Sequence, residues 1–343
     1  MDILVKYGTF CSGSLPRTGT GLLALLLFGF GARLAGQQAP CLNRTLAVTV
    51  TTQDYQPVKD LTAANFSAKL GHEPIKIVSV GLATGARIVI VMDTSGSMVF
   101  DDRSKWKTAM AAAEGLFSSA PPGTTFGLLT FAGQVEDRVD FRQGAKAVVE
   151  ELRKLLDTDW ERKTRQMRWT ALTDAINEAL ELLGTPGLGD AIYLVSDGGE
   201  NASKVKGSRG YARVLSTGLR LFAFMPVGSL IQRGMAPEEF AGPETVGRLA
   251  EETGGSIVVY SRGGTVGAPY GWPSNRTILS SARAALQAAR TMDQEVTEFY
   301  RLELELPKPL GKSKEWRLEA TKLMGEKNVH LRVNYPHKLQ PCQ

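Results

Sequence analysis

The stretch "RIVIVMDTSGSM", Arg87 to Met98, decides the fold. Its first half, Ile88 to Met92, is continuously apolar and largely β-branched, the texture of a strand covered on both faces, as in a parallel sheet sandwiched by helices. Its second half sets a carboxylate and two hydroxyls, Asp93, Ser95 and Ser97, at alternate positions, and Gly96 relieves the backbone of a tight turn. Open α/β sheets bind their ligands beyond the carboxyl ends of the strands. The turn after Met92 is therefore where chemistry is expected.

Working outward, Trp106, Ala109, Met110, Ala113 and Phe117 recur at three and four, predicting an amphipathic helix that ends at Pro121-Pro122-Gly123. A strand at Thr125 to Phe131, short strands or a hairpin at Val135 to Phe141 and a helix at Ala145 to Leu156 follow. Leu172, Ala175, Ile176, Ala179 and Leu183 mark another helix, and Ala191 to Val195 another buried strand. A helix near Tyr211 to Gly218, a strand at Leu219 to Met225, a helix near Pro243 to Glu252 and a strand at Ser256 to Tyr260 complete the series. This alternation predicts an α/β domain over residues 85–262, an open, doubly wound and mostly parallel sheet.

Both flanks read as β structure. In 44–82, Leu46, Val48 and Val50 alternate with Thr45, Ala47 and Thr49, and Pro74 to Val80 is a second strand region. Gly263 to Pro273 reads as an exposed loop. In 277–340, a stripe from Leu279 to Val296 predicts one long helix over 277–297, followed by strands at Tyr300 to Leu306, Trp316 to Ala320 and Val329 to Tyr335. Neither flank can bury a core alone. They are expected to combine in a small β-sandwich-like unit beside the α/β domain.

The 343 residues carry 43% hydrophobic and 22% charged residues, which argues against bulk disorder. The formal charge of +5 is spread among nearly as many acids, and no basic arm or interleaved aromatic surface suggests nucleic acid as a partner. Residues 1–36 read as a signal peptide: Lys6 and Arg17, then a short apolar run from Gly21, then the small residues Ala35 and Gly36. The run is interrupted at Arg33, short of the roughly 20 residues a bilayer requires. No stable membrane span is expected after cleavage, and the mature chain is placed outside the cytoplasm: secreted, periplasmic or associated with the cell surface. Cleavage also removes Cys11, leaving Cys41 and Cys342 near the two ends. They form a disulfide in an oxidising compartment or remain two terminal thiols. As a disulfide they would stabilise the fold by about 4 to 5 kcal/mol on the chain-entropy account.

Two further loops fall at the same sheet edge as Asp93, Ser95 and Ser97: Thr170 opens a helix and Asp197 follows a strand. All five groups offer hard oxygen, which suits Mg²⁺ or Mn²⁺ better than Zn²⁺ or copper. Two carboxylates leave one divalent ion nearly neutral, and an octahedral ion keeps a position for water or for a carboxylate of a protein partner. The competing reading is a hydrogen-bonded strand-to-helix turn in which Ser or Asp caps the helix. For an enzyme the ingredients are missing: no phosphate-cradling glycine loop is present. His72, His330 and His337 all fall in the flanks. No catalytic residue is assigned, and a Mg²⁺-dependent hydrolase is the least favoured alternative, behind a scaffold with a structural metal.

The chain here resembles the von Willebrand factor A-type domain family. Asp93-Thr-Ser-Gly-Ser97 has the family's D-x-S-x-S form, Thr170 in "RWTALTDAI" matches its second-loop threonine, and Asp197 in "YLVSDGGEN" its third-loop aspartate. The resemblance implies a metal-ion-dependent adhesion site and metal-dependent protein binding. The flanks, through "LAVTVTTQDYQPVKDLTAANFSAKLGHEPIKIVSV" and "VHLRVNYPHK", are similar to a group of secreted, chiefly acidobacterial proteins. One departure stands out: Arg168-Trp169 precede Thr170 where a small residue is usual. They either crowd the metal or contact a ligand at the rim, where Glu200 is also expected.

Overall fold

The computed structural model describes residues 41–99, 103–158, 169–227, 237–261 and 276–341. The expected signal segment, the loop Gly263 to Pro273, Arg168 and Cys342 lie outside the described residues.

Three strands come first: β1 (Asn43–Thr51), β2 (Phe66–Leu70) and β3 (Glu73–Thr84). The α/β series begins with β4 (Arg87–Asp93), α1 (Gly96–Val99), α2 (Arg103–Ser119), β5 (Thr125–Phe131), β6 (Val135–Val139) and α3 (Gly144–Asp157). It continues with α4 (Leu172–Leu183), β7 (Ala191–Val195), α5 (Gly207–Thr217), β8 (Arg220–Val227), α6 (Pro237–Glu252), β9 (Ile257–Ser261), β10 (Arg276–Leu279) and α7 (Ala282–Thr297). The chain returns to strands in β11 (Glu298–Glu305), β12 (Lys314–Glu315), β13 (Arg317–Met324), β14 (Lys327–Asn334) and β15 (Lys338–Leu339).

The central sheet runs β10-β9-β8-β7-β4-β5-β6. It is mixed: β6 pairs antiparallel with β5 at one edge and every other pairing is parallel. Successive side chains of a strand face opposite ways, so β4 feeds two cores. Ile88, Ile90 and Met92 pack with α2, α3 and α7. Val89 and Val91 pack with α4, α5 and α6. This double burial explains why β4 lacks polar alternation, and it carries the Asp93 turn to the carboxyl edge beside the ends of β5 and β7.

The flanks meet in a closed six-stranded barrel, β1-β11-β3-β2-β13-β14, rather than the expected sandwich. The physical reason lies in β1, which divides its pairing. Asn43 to Val48 pair with β11, while Thr49 to Thr51 pair with β14. One strand thus bridges the two edges that a sandwich would leave open. Val48, Val50, Phe66, Leu302, Leu304, Trp316, Leu318 and Leu331 fill the interior. The pair β12–β15 forms a separate small ribbon.

The long helix predicted over 277–297 also needs correction. Arg276 to Leu279 form β10, parallel to β9, and the helix starts at Ala282. The β-branched Thr277 and Ile278 suit the free edge of β9. The Ser281 side chain, accepting from Ala284 N at 3.3 Å, caps the helix that follows. Among the described residues no helix is long and apolar enough to cross a membrane.

Candidate functional site

The Asp93 turn is built from its own side chains. Asp93 is fully buried; its Oδ1 accepts from Ser95 N at 2.8 Å, which folds the chain back. Its Oδ2 accepts from Ser196 Oγ at 2.6 Å, tying the end of β4 to the end of β7. Met98 N donates to Ser95 O at 3.0 Å and opens α1, so Ser95 and Ser97 fall on one side of the turn with their hydroxyls 3.2 Å apart.

Thr170 is held from two directions. Its N–H donates to Asn201 Oδ1 at 2.8 Å, and its carbonyl accepts from Asn201 N and Ala202 N. Ala171 N donates to Ala132 O at 2.7 Å, docking the segment against the loop after β5. Asp197 Oδ1 and Thr170 Oγ1 both stand against Gly199, 3.5 and 3.6 Å from where a side-chain carbon on that glycine would sit. Both are ordinary van der Waals distances, so the two oxygens border the same glycine.

Lys105, from α2, joins the first loop to the third. Its buried ammonium donates to Asp197 Oδ2 at 2.8 Å and to the Ser97 carbonyl at 2.7 Å. Asp93, Ser95 and Ser97 are joined by their own hydrogen bonds, Lys105 ties Ser97 to Asp197, and Asp197 and Thr170 both border Gly199. Burial pushes the Asp93 carboxyl up to about 7, the charge of Asp197 adds to the rise, and hydrogen bonds from Ser196 and Ser95 oppose it. Lys105 offsets one of the two buried carboxylates, and no cation is in contact with Asp93 among the described residues.

Among the described residues no three His, Cys, Asp or Glu side chains gather as a metal cluster. The set at this edge has two carboxylates and completes itself with hydroxyls. That donor chemistry fits a hard divalent cation and offers nothing to a soft one. The charge deficit around Asp93 agrees with it.

At the rim, the Trp169 side chain is 59% exposed, while its Cβ lies against Gly133. Glu200 is turned into the protein: Oε2 accepts from Thr173 N at 2.7 Å at the start of α4 and from Ser203 Oγ at 2.6 Å, and Oε1 accepts from Ser203 N. Two participants escaped the sequence reading. Lys105 stands on the same helical stripe as Ala109, Ala112 and Leu116, all buried, so a charge on an apolar face was its signal. Ser196 directly follows the apolar run of β7, and nothing local distinguishes it.

A comparison with curated proteins found no match. Several solved structures are similar to the chain. One is an aerotolerance-related membrane protein from Bacteroides fragilis NCTC 9343, 16% identical, with 62% of this chain and 98% of that chain covered and a TM-score of 0.40. Another is a von Willebrand factor type A protein from Catenulispora acidiphila, 12% identical, covering 90% and 74%, with a TM-score of 0.39. A third is the manganese-loaded TRAP protein of Plasmodium vivax, 13% identical, covering 78% and 100%, with a TM-score of 0.39. Likenesses this distant assign no function. Residues 88–200, which contain Asp93, Ser95, Ser97, Thr170 and Asp197, match the family model of the von Willebrand factor type A domain.

Proposed function

We propose that the chain is an extracytoplasmic, metal-dependent protein-binding module and not an enzyme. The observation that carries this reading is the meeting of two buried carboxylates, Asp93 and Asp197, with three hydroxyls at one sheet edge. Asp93, Ser95, Ser97, Thr170 and Asp197 would hold Mg²⁺ or Mn²⁺, and the bound ion would supply a Lewis-acid position for an acidic side chain of the partner. Around it, Ser196 and the Ser95 N–H orient Asp93, Lys105 orients Asp197, and Asn201 fixes Thr170. Trp169 offers apolar area at the rim, and the neighbouring Arg168 offers a guanidinium for a partner carboxylate. Glu200 acts on the rim by holding the loop that follows Asp197.

The compartment follows from residues 1–36 as a signal peptide and from a disulfide between Cys41 and Cys342. Cys41 is disulfide-bonded, and Arg44 Nη2 donates to Gln340 O at 3.1 Å, which sets β1 beside the segment that precedes Cys342 in the sequence. A second reading is an extracytoplasmic scaffold whose metal is purely structural; Lys105, buried between Asp197 and the Ser97 carbonyl, favours it by already tying these loops together without a partner.

The test is titration of the purified protein with Mg²⁺ and Mn²⁺, followed by capture of acidic peptides with and without chelator. Capture that is lost on chelation and in Asp197→Ala supports adhesion through the metal. Capture indifferent to both refutes it, and metal binding without any capture selects the scaffold.

A further inference from the structure

Away from the Asp93 edge, β1 leaves part of one side open. Just before the first ladder pair with β11, Asn43 with Glu305, Leu306 N donates to Leu42 O at 2.9 Å. Alternate residues of an antiparallel strand turn their N–H and C=O to opposite edges. Arg44, Leu46 and Val48 therefore bond toward β11, and Asn43, Thr45, Ala47 and Thr49 turn theirs the other way. On that second edge β14 meets Thr49 and Thr51. Past Asn334 the chain leaves it, and His337 N donates to Glu252 O at the end of α6. Among the described residues no strand pairs with Asn43 to Val48 on this side. Unpaired groups along a strand edge are a template for another chain.

The open edge borders a cavity of about 560 Å³, bounded by Asn43 to Leu46, the end of α5 and the segment Lys338 to Pro341. Leu215, Leu219, Leu339 and Pro186 give it apolar walls. Of its charged groups, Lys338 and Glu252 are matched at 3.6 Å. Arg44 has no such partner among the described residues: its guanidinium donates to the carbonyls of Cys41, Asn43 and Gln340 and to Cys41 Sγ. Nη2 carries two hydrogens and commits one, to Gln340 O at 3.1 Å. Partial burial lowers the pKa of this guanidinium from the usual arginine value, a penalty that an anion would offset.

A row of backbone donors and acceptors, apolar walls and a guanidinium at one end complement an extended peptide that finishes in a free carboxylate. From Ala47 to Asn43 such a chain needs about four residues at roughly 3.4 Å each. Running in line with β14, it lies antiparallel to β1 and brings its last residue to Arg44. We propose that this edge of β1 captures the C-terminal segment of a partner polypeptide as an added strand, with the terminal carboxylate on Arg44 Nη2. The site shares no residue with the Asp93 edge and does not depend on metal.

The probe is a mixture of N-acetylated hexapeptides with free carboxylates, randomised at the last four positions; captured sequences are resynthesised and titrated by calorimetry. One saturable site is expected, weakened about 10- to 100-fold by amidation of the peptide C-terminus and by Arg44→Gln. Thr45→Pro deletes an N–H on the open edge only, so the β11 ladder survives while binding falls about tenfold or more. Ser216→Trp fills the cavity from an exposed position on α5 and provides a second variant should Thr45→Pro fail to fold; it should abolish binding. Chelator and Asp197→Ala should leave binding unchanged, which separates this inference from metal-dependent adhesion. The idea is overturned if the mixture yields no ligand at millimolar concentration, if peptide amides bind as well as acids, or if binding survives Thr45→Pro or Ser216→Trp.

Discussion

Lys105 Nζ lies 2.8 Å from Asp197 Oδ2, and both side chains are buried. The ammonium is a resident cation at the edge where a divalent ion is proposed to bind, and it neutralises one of the two carboxylates there. Substituting Lys105→Met leaves Asp197 uncompensated beside Asp93. Breaking a buried pair by removing one partner costs about 3–5 kcal/mol. Mg²⁺ should return much of that loss by supplying the missing charge. The expected result is a variant much less stable than wild type in chelator, with a larger rise in melting temperature on adding Mg²⁺. Equal Mg²⁺-induced shifts in the two proteins would show that Lys105 and the ion do not share Asp197.

Arg220 joins the sheet to the barrel side of the molecule. It is 1% exposed, and its guanidinium donates to the carbonyls of Gly189 at 2.6 Å, Glu295 at 2.9 Å and Val296 at 2.9 Å. It also stacks over Phe222 and over Phe299 of β11. The Glu295 and Val296 carbonyls end α7, where a cation is favoured by the helix dipole. Arg220→Met orphans three buried carbonyls and should destabilise by about 3–5 kcal/mol, read from the urea midpoint. Arg220→Lys should recover only part of this, because an ammonium cannot reproduce the planar fork.

Much of this architecture was legible locally. The doubled burial of β4 is written in its unbroken apolar run, and the turn that brings the Ser95 and Ser97 hydroxyls together in the alternation after Met92. What escaped depends on partners distant in the chain. Barrel closure follows from β1 pairing with both β11 and β14, and no periodicity within 43–51 announces two partners. β10 was absorbed into a helix because four residues carry too little pattern to outweigh the stripe that follows. The hold of Glu200 on the α4 N-terminus is likewise invisible locally, because that helix begins 28 residues earlier in the chain.

Stability should depend on pH through Asp293. Burial pushes its carboxyl up to about 8, while the Tyr193 hydroxyl and Arg290 moderate the rise. Neither carboxylate oxygen is in full hydrogen-bonding geometry with a partner. In the unfolded chain the group titrates near 3.9. Between about pH 4 and pH 8 the folded protein retains a proton that the unfolded chain has released. Its contribution is therefore fully present below pH 4 and is lost as pH rises to 8, by an amount of order several kcal/mol. Asp293→Asn, neutral throughout, should flatten this part of the profile. Urea midpoints at pH 5 and pH 8 in chelator check it: wild type should lose more than the variant between the two.

The loop of Asp197 is held at its back by two glycines. Gly198 sits at φ +89°, and a side-chain carbon there would fall 2.9 Å from the Gly242 carbonyl carbon and 3.0 Å from Pro243 N. In the reverse direction, a carbon on Gly242 would fall 1.9 Å from the Gly198 carbonyl oxygen. Both contacts are with backbone, so no side-chain rotation relieves them, and one of the two segments must move. Gly242→Ala should therefore displace the Asp197 loop from α6, at a cost of about 1–3 kcal/mol as overpacking. Because Asp197 is one of the proposed ligands, Mg²⁺ affinity should fall with stability, although residue 242 is itself no ligand. Gly218→Ala serves as the control: its φ is +72° and the space around it is open. It should cost stability through backbone strain alone and leave metal affinity intact. A Gly242→Ala protein that binds Mg²⁺ as tightly as wild type would show that α6 does not position the third loop.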